Sequence, residues 1–311
     1  MVLLKLQSVT RLYGTVIGVN DISLSLLEGA HGLLGPNGAG KSTLLNLITG
    51  QLSPTIGSVE VFGMKPRASH ELLRRIGYLP GSEGMYADVS AIEWVTYLTR
   101  IQGYQASEAR RLATQALERV NLTEHMHRKI SSFSRGMRQR TRLAQAIAHE
   151  PDFLILDEPF SGLDPIARHT MTQLLQQWIA DGKSLLVSSH VLYEIELLTR
   201  SFLLLSGGRL LASGSADDIH TLLSNVPAEV SLVVDKPRAL AAELLLNEWV
   251  DSVQVSEGGE LTITTSQSNK LSHFISQAVC EERYVVTEMR SADDSLQDVF
   301  NSLMKIHRGV L

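Results

Sequence analysis

The chain has 311 residues, 44% of them hydrophobic and 20% charged, a composition that bounds it to one large or two modest globular domains. A net charge of -5 gives no support to nucleic-acid binding, since proteins of that kind usually carry a basic surface. The one cysteine, Cys280, excludes an internal disulfide, fits a reducing compartment and, on an apolar helical stretch, reads as a small buried hydrophobe.

In chain order, the first two-thirds alternate strand-like and helix-like segments. Strands are predicted near 3–9, 21–26, 31–34, 58–62, 76–79, 153–156, 184–188 and 202–206, with Gly207-Gly208 as a hairpin turn into 209–213. Helices are predicted at 41–49, 69–75, 89–102, 106–119, 136–149, 165–180 and 191–199. The run 153–156 is short and continuously apolar, as a strand buried inside a parallel sheet must be. This alternation predicts an α/β domain, with a helical subdomain over about 83–150 where strand signals stop. Near 224 the pattern changes. A strand at 229–235, a helix at 237–247, strands at 250–256 and 260–266, a helix at 269–282, a strand at 284–290 and a helix at 295–305 follow. Their β-α-β-β-α-β order is the split βαβ pattern of a small α+β, ferredoxin-like C-terminal domain. The expected domains are therefore 1–224 and 225–311.

The chemistry sits in the first domain. Gly35-Pro36-Asn37-Gly38-Ala39-Gly40-Lys41-Ser42 fits the G-x-x-x-x-G-K-[ST] phosphate-binding loop and lies between a predicted strand and helix, the context that pattern requires. Glycines let backbone N–H groups approach phosphate oxygens, and the helix that follows points its positive end at the same anion. Lys41 neutralises the β- and γ-phosphates, and the Ser42 hydroxyl suits a hard cation such as magnesium. Thr43 continues the loop into the helix. Asp157 and Glu158 close the apolar strand, at the end where ligands bind in α/β sheets. Asp157 is expected to hold magnesium and Glu158 to polarise an attacking water. Phe133-Ser134-Arg135-Gly136-Met137 opens a helix, with Ser134 as an N-cap or, with the Gly136 N–H, as an anion contact. Ser161-Gly162-Leu163-Asp164 and Ser188-Ser189-His190 complete the ordered set.

These five segments together resemble the ATP-binding subunit of ATP-binding-cassette (ABC) transporters. The loop 35–42 looks like Walker A, and 153–158 like Walker B with its catalytic glutamate. Segment 133–137 looks like a variant signature motif, 161–164 like the D-loop, His190 like the switch histidine and Tyr13 like the aromatic on which adenine stacks. The closing Ser295-Leu296-Gln297-Asp298-Val299-Phe300 resembles the end of ABC-2-type subunits, whose ATPase and permease are separate chains. The resemblance implies a homodimer closed head to tail over two ATP molecules. In it, Ser134, Arg135, Gly136 and Met137 of one copy face the γ-phosphate held by the other, Asp164 bridges the two copies, and His190 orients water beside Glu158. It implies magnesium, a transmembrane permease partner and, on balance, export.

No run of about 18 apolar residues spans a bilayer, and Met1-Val2-Leu3-Leu4-Lys5-Leu6-Gln7 lacks the features of a signal peptide. The expectation is a cytoplasmic chain that lies on the inner membrane face through its partner. Two departures stand out. Gly81 follows the strand 76–80 where the family usually carries glutamine or glutamate, with Ser82 or Glu83 as the nearest substitutes. Arg135 and Met137 stand where glycine and glutamine are common. A non-enzymatic alternative, a nucleotide-gated regulatory module with little hydrolysis, draws its support from Gly81. A DNA- or ribosome-directed cassette is disfavoured by the single cassette and the acidic balance. The 225–311 domain reads as an accessory or regulatory unit.

Overall fold

The computed structural model describes residues 2–82, 84–215, 228–256, 258–265, 267–281 and 283–291. The chain divides into two compact units, Met1–Ser215 and Ala216–Leu311.

In the first unit, β1 (Val2–Tyr13), β2 (Val16–Leu27) and β4 (Ile56–Val61) form an antiparallel sheet in the order β2-β1-β4. A second sheet has the order β5-β6-β7-β3-β8-β9. Its strands are β3 (Ala30–Leu34), β5 (Ile76–Leu79), β6 (Phe153–Asp157), β7 (Ser184–Ser189), β8 (Ser201–Ser206) and β9 (Arg209–Ser215). All neighbours are parallel except the β8–β9 hairpin. Every residue of β6 and β7 is buried, which explains the unbroken apolar run of β6. The two sheets share one core around helix α1 (Lys41–Ile48), whose Leu44, Leu45, Leu47 and Ile48 meet Leu3, Leu6, Val9 and Ile22 from one sheet and Ile155, Leu186 and Leu203 from the other. Each such side chain contributes about 1.5–3 kcal/mol when fully buried.

A short helix α2 (His70–Arg75) precedes β5, and three longer helices follow it: α3 (Ala91–Ile101), α4 (Ala106–Arg119) and α5 (Arg135–Ile147). Helix α3 starts at a capping box. Ser90 Oγ accepts from the Glu93 N–H, and the Glu93 carboxylate accepts from the Ser90 N–H at 2.8 Å. Helices α6 (Pro165–Ala180) and α7 (Leu192–Glu196) follow β6 and β7 in chain order. Helix α7 is shorter than the predicted 191–199.

In the second unit, β10 (Ala228–Val234), α8 (Pro237–Leu244), β11 (Val250–Val255), β12 (Glu260–Thr265), α9 (Ser268–Cys280) and β13 (Val286–Ser291) follow one another. The antiparallel sheet order is β11-β12-β10-β13, which is the ferredoxin-like order predicted from the element sequence. Leu232, Leu240, Leu244, Leu261, Ile263 and Leu271 build its core.

Cys280 corrects the sequence reading, because it is exposed. Helix α9 buries Leu271, Ile275 and Ala278, and a residue two positions past Ala278 points away from that face. Residues 216–227, the predicted last helix 295–305 with its motif 295–300, and Glu83 lie outside the described residues.

Candidate functional site

Strands β6, β7 and β3 are neighbours in the sheet; Asp157 is the last residue of β6, and the loops leaving the three C-terminal ends carry Glu158, His190 and the segment 35–42. Parallel strands end on the same side, so three segments distant in sequence meet at one edge.

The loop 35–42 wraps into the first turn of α1. Gly40 has φ 103°, and a β-carbon there would fall 2.4 Å from the Gly18 carbonyl oxygen, so both conformation and space require glycine. A β-carbon on Gly35 would fall 2.3 Å from the Leu205 oxygen. The cleft over this loop has a volume of about 340 Å³ and is lined by Tyr13, Val16, Ile17, Gly18, Pro36, Asn37, Gly38, Ala39, Gly40, Lys41, Ser42, Thr43 and Glu158. Tyr13 ends β1 and is exposed, with its ring lying over Gly18 beside Thr43 and the Arg11 guanidinium 5.0 Å from its centre.

Lys41 is buried, and its Nζ donates to the carbonyls of Gly35 at 2.6 Å and Pro36 at 3.1 Å. The same ammonium lies 3.1 Å from Glu158 Oε1, while Glu158 Oε2 lies 2.9 Å from His190 Nδ1. A carboxylate only accepts, so His190 donates through Nδ1–H. Glu158 has φ 50°, in the left-handed region that residues with a β-carbon seldom adopt, and its own N–H donates to Ser188 Oγ at 3.0 Å. Ser188 Oγ in turn donates to Asp157 Oδ1 at 2.7 Å. One hydroxyl, fully buried, thus fixes both acidic residues. The sequence signal for Ser188 is a pair of serines that closes the apolar run 185–187. Ser189 is equally buried and donates to Glu194 at 2.7 Å, which anchors the turn ahead of His190.

Ser42 is exposed at the start of α1, and Asp157 is buried at the end of β6. A hydroxyl and a carboxylate are the donor types of a magnesium ion that completes its shell with phosphate oxygens and water. Tyr78, whose hydroxyl donates to Asn46 at 3.0 Å, titrates well above the usual phenol range because it is buried and then because of the Asp157 charge.

Other predicted residues stand apart from this cleft within one chain. Ser134 caps α5, accepting from the Met137 N–H at 3.2 Å, and Gly136 packs toward Ala167. The Arg135 guanidinium lies on Gly162, where a β-carbon would come within 2 Å of it. Asp164 caps α6, accepting from the Ala167 N–H at 2.8 Å. Gly81 is beside the cleft: a β-carbon there would lie 3.1 Å from Asp157 Oδ2. The Ser82 side chain is exposed.

A glycine cradle on a helix N-terminus, a buried lysine and a carboxylate–histidine pair at the end of a parallel sheet define a P-loop ATPase cassette. The family model described as "ABC transporter" matches residues 19–161. The chain is 36% identical over 219 residues to the Nod factor export ATP-binding protein I of Cupriavidus pinatubonensis, an alignment covering 70% of this chain and 67% of that one. A solved ATP-binding subunit of an ABC transporter superposes with TM-score 0.63 at 29% identity, over 71% of this chain and 92% of that one. A dimeric bacterial ABC transporter cassette does so with TM-score 0.63 at 25% identity, over 68% and 98%. The chain belongs to the ATP-binding subunits of ABC transporters. It is an ATPase subunit that serves a separate permease, and the non-enzymatic alternative is not favoured. No helix among the described residues is long and apolar enough to cross a membrane.

Proposed function

We propose that two copies of this chain close head to tail over two ATP molecules and drive an exporter from the inner face of the cell membrane. The observation that carries this reading is the continuous Lys41–Glu158–His190 chain at the mouth of the glycine cradle. An incoming triphosphate competes with Glu158 for Lys41. Once Lys41 turns to the phosphates, Glu158 is released to accept a proton from water, with His190 holding its other oxygen. Backbone N–H groups of 37–43 and the α1 N-terminus stabilise the phosphates, and Tyr13 stacks on the adenine. Magnesium, held by Ser42 and Asp157, would neutralise phosphate charge. Ser134, Arg135, Gly136 and Met137 of the second copy close the site, with Asp164 between the copies.

Residues 1–224 make up the ATP-binding domain and 225–311 an accessory domain. A groove of about 500 Å³ beside α3, lined by Tyr86, Val89, Trp94 and Tyr97 together with Glu93, Thr96, Arg100 and Arg110, supports docking of an amphipathic permease segment. Tyr86 and Tyr97 are 72% and 58% exposed there, which leaves two large aromatic rings open to a partner. Export is supported by the relative named for Nod factor export. The test is magnesium-dependent ATPase activity of the purified chain, with and without native membranes, alongside co-purification of a tagged copy. A polytopic membrane protein retained by the wild type and lost from Tyr86→Asp supports the reading. Soluble or nucleic-acid partners alone would overturn it.

A further inference from the structure

Helix α5 is capped by Ser134, and halfway along it two buried polar side chains leave the helix for the loops that follow β5 and β6. Arg142 and Gln139 are each 6% exposed. Arg142 donates to the Ser82 carbonyl at 2.7 Å, to the Pro80 carbonyl, and to Gln139 Oε1 at 2.6 Å. Gln139 uses its Nε2–H to donate to the Pro159 carbonyl at 2.8 Å. One guanidinium therefore clasps the chain on both sides of Gly81, and the amide beside it clasps the residue after Glu158. Gly81 has no side chain of its own to aim at Asp157, although its β-carbon position lies 3.1 Å from Asp157 Oδ2. The planar guanidinium fork suits several carbonyls at fixed angles in a way that an ammonium does not.

We propose that Arg142 and Gln139 are positioning residues that brace the loop at Gly81 and the loop after Glu158 against α5, and so hold Asp157 and Glu158 in register with the helix that carries Ser134. The proposal rests on the ATPase site described above. In it, the backbone at 80–82, anchored from behind by Arg142, supplies the rigidity that a side chain at position 81 would otherwise give. Because Ser134 and Arg142 belong to one helix and its cap, a shift of α5 is transmitted directly to both loops. Neither residue touches the nucleotide cleft, so nucleotide affinity and turnover should separate.

The test compares Arg142→Gln, Arg142→Lys and Gln139→Glu with wild type. Gln139→Glu keeps the acceptor for Arg142 but sets a carboxylate oxygen against the Pro159 carbonyl, breaking only one arm of the brace. The readouts are kcat and KM for ATP, the dissociation constant of a non-hydrolysable ATP analogue without metal, and Mn2+ affinity of the analogue complex by EPR titration. The expected result is a kcat loss of about tenfold or more with analogue affinity within about twofold, since misplaced catalytic groups affect turnover before binding. Mn2+ affinity should fall several-fold in Arg142→Gln and recover partly in Arg142→Lys. Folded variants with wild-type kcat and Mn2+ affinity would overturn the proposal, as would a parallel loss of analogue affinity, which marks general collapse of the cleft. If Arg142→Gln does not fold, Gln139→Glu decides, and failure of both to fold would reduce the pair to a folding element. Asp157→Asn is the reference. Unchanged Mn2+ affinity in that variant removes the metal-site reading and the inference with it. A loss there beside unaffected Arg142 and Gln139 variants overturns the inference alone.

Discussion

Glu158 stands between Lys41 and His190, with one carboxylate oxygen 3.1 Å from the ammonium and the other 2.9 Å from the imidazole. The groups proposed to bind phosphate and to activate water are thus joined through a single side chain. Glu158→Gln keeps its shape and removes its charge. Turnover should fall about 10²-fold or more, the usual effect of losing a general base. Nucleotide affinity should hold or rise, because Lys41 loses its internal counter-ion. Steady-state ATPase assays and size-exclusion chromatography with ATP check this, the variant eluting as an ATP-stabilised dimer.

Lys41→Ala acts on binding instead. Losing charge-assisted hydrogen bonds to phosphate should weaken ATP affinity by about 10- to 100-fold. Calorimetric titration measures it, and unchanged affinity would remove the phosphate-loop role.

Ser188→Ala removes the hydroxyl that accepts from the Glu158 N–H and donates to Asp157. Two buried partners are left unpaired, at a cost of about 1–3 kcal/mol each. The melting temperature should drop by several degrees and turnover should fall together with it, whereas Ser188→Thr, which keeps the hydroxyl, should retain more of both.

The proposed head-to-tail dimer makes a complementation prediction. Ser134→Arg and Lys41→Ala each disable every composite site in their own homodimers. A mixed dimer of the two retains one intact site, with Lys41 from one copy and Ser134 from the other. Mixing inactive preparations should therefore restore hydrolysis. No recovery after verified subunit exchange would contradict the assignment of Ser134.

Two buried histidines set a pH response. Burial lowers the pKa of His31 and His149 below the ordinary 6.5, in each case opposed by a bond to a backbone carbonyl, Leu27 and Ile76 respectively. Below pH 6.5 the unfolded chain takes up protons there that the folded chain refuses. Stability is therefore fully present above that pH and falls as the pH drops below it. Thermal melts from pH 7.5 to 5 should show the decline, and His149→Gln should flatten it.

The sequence was informative wherever one segment sufficed. The loop 35–42, the apolar β6 with its terminal acids and the β-α-β-β-α-β order of the second unit were each legible locally, because each is a spacing or a periodicity. Contacts that join segments were not. Nothing near Arg142 announces that it reaches Pro80 and Ser82, some 60 residues away, and a buried arginine looks in sequence like one more charge on the polar face of α5. The same holds for Arg135, whose guanidinium lies on Gly162. Cys280 failed for a different reason: an apolar neighbourhood does not say which side of the helix a residue takes, and the burial of Ala278 turned Cys280 outward.

Ser188 pairs directly with Asp157 across β6 and β7, and Leu34, the last residue before the glycine loop, pairs with Ser189 on the opposite flank of β7. A slip of one position in either ladder would send alternate side chains through to the far face of the sheet. The edge that carries the proposed catalytic groups therefore depends on three strands held in one register. Swapping β7 alone between relatives risks dismantling the machine, while exchanging all three strands as a block should carry it across whole.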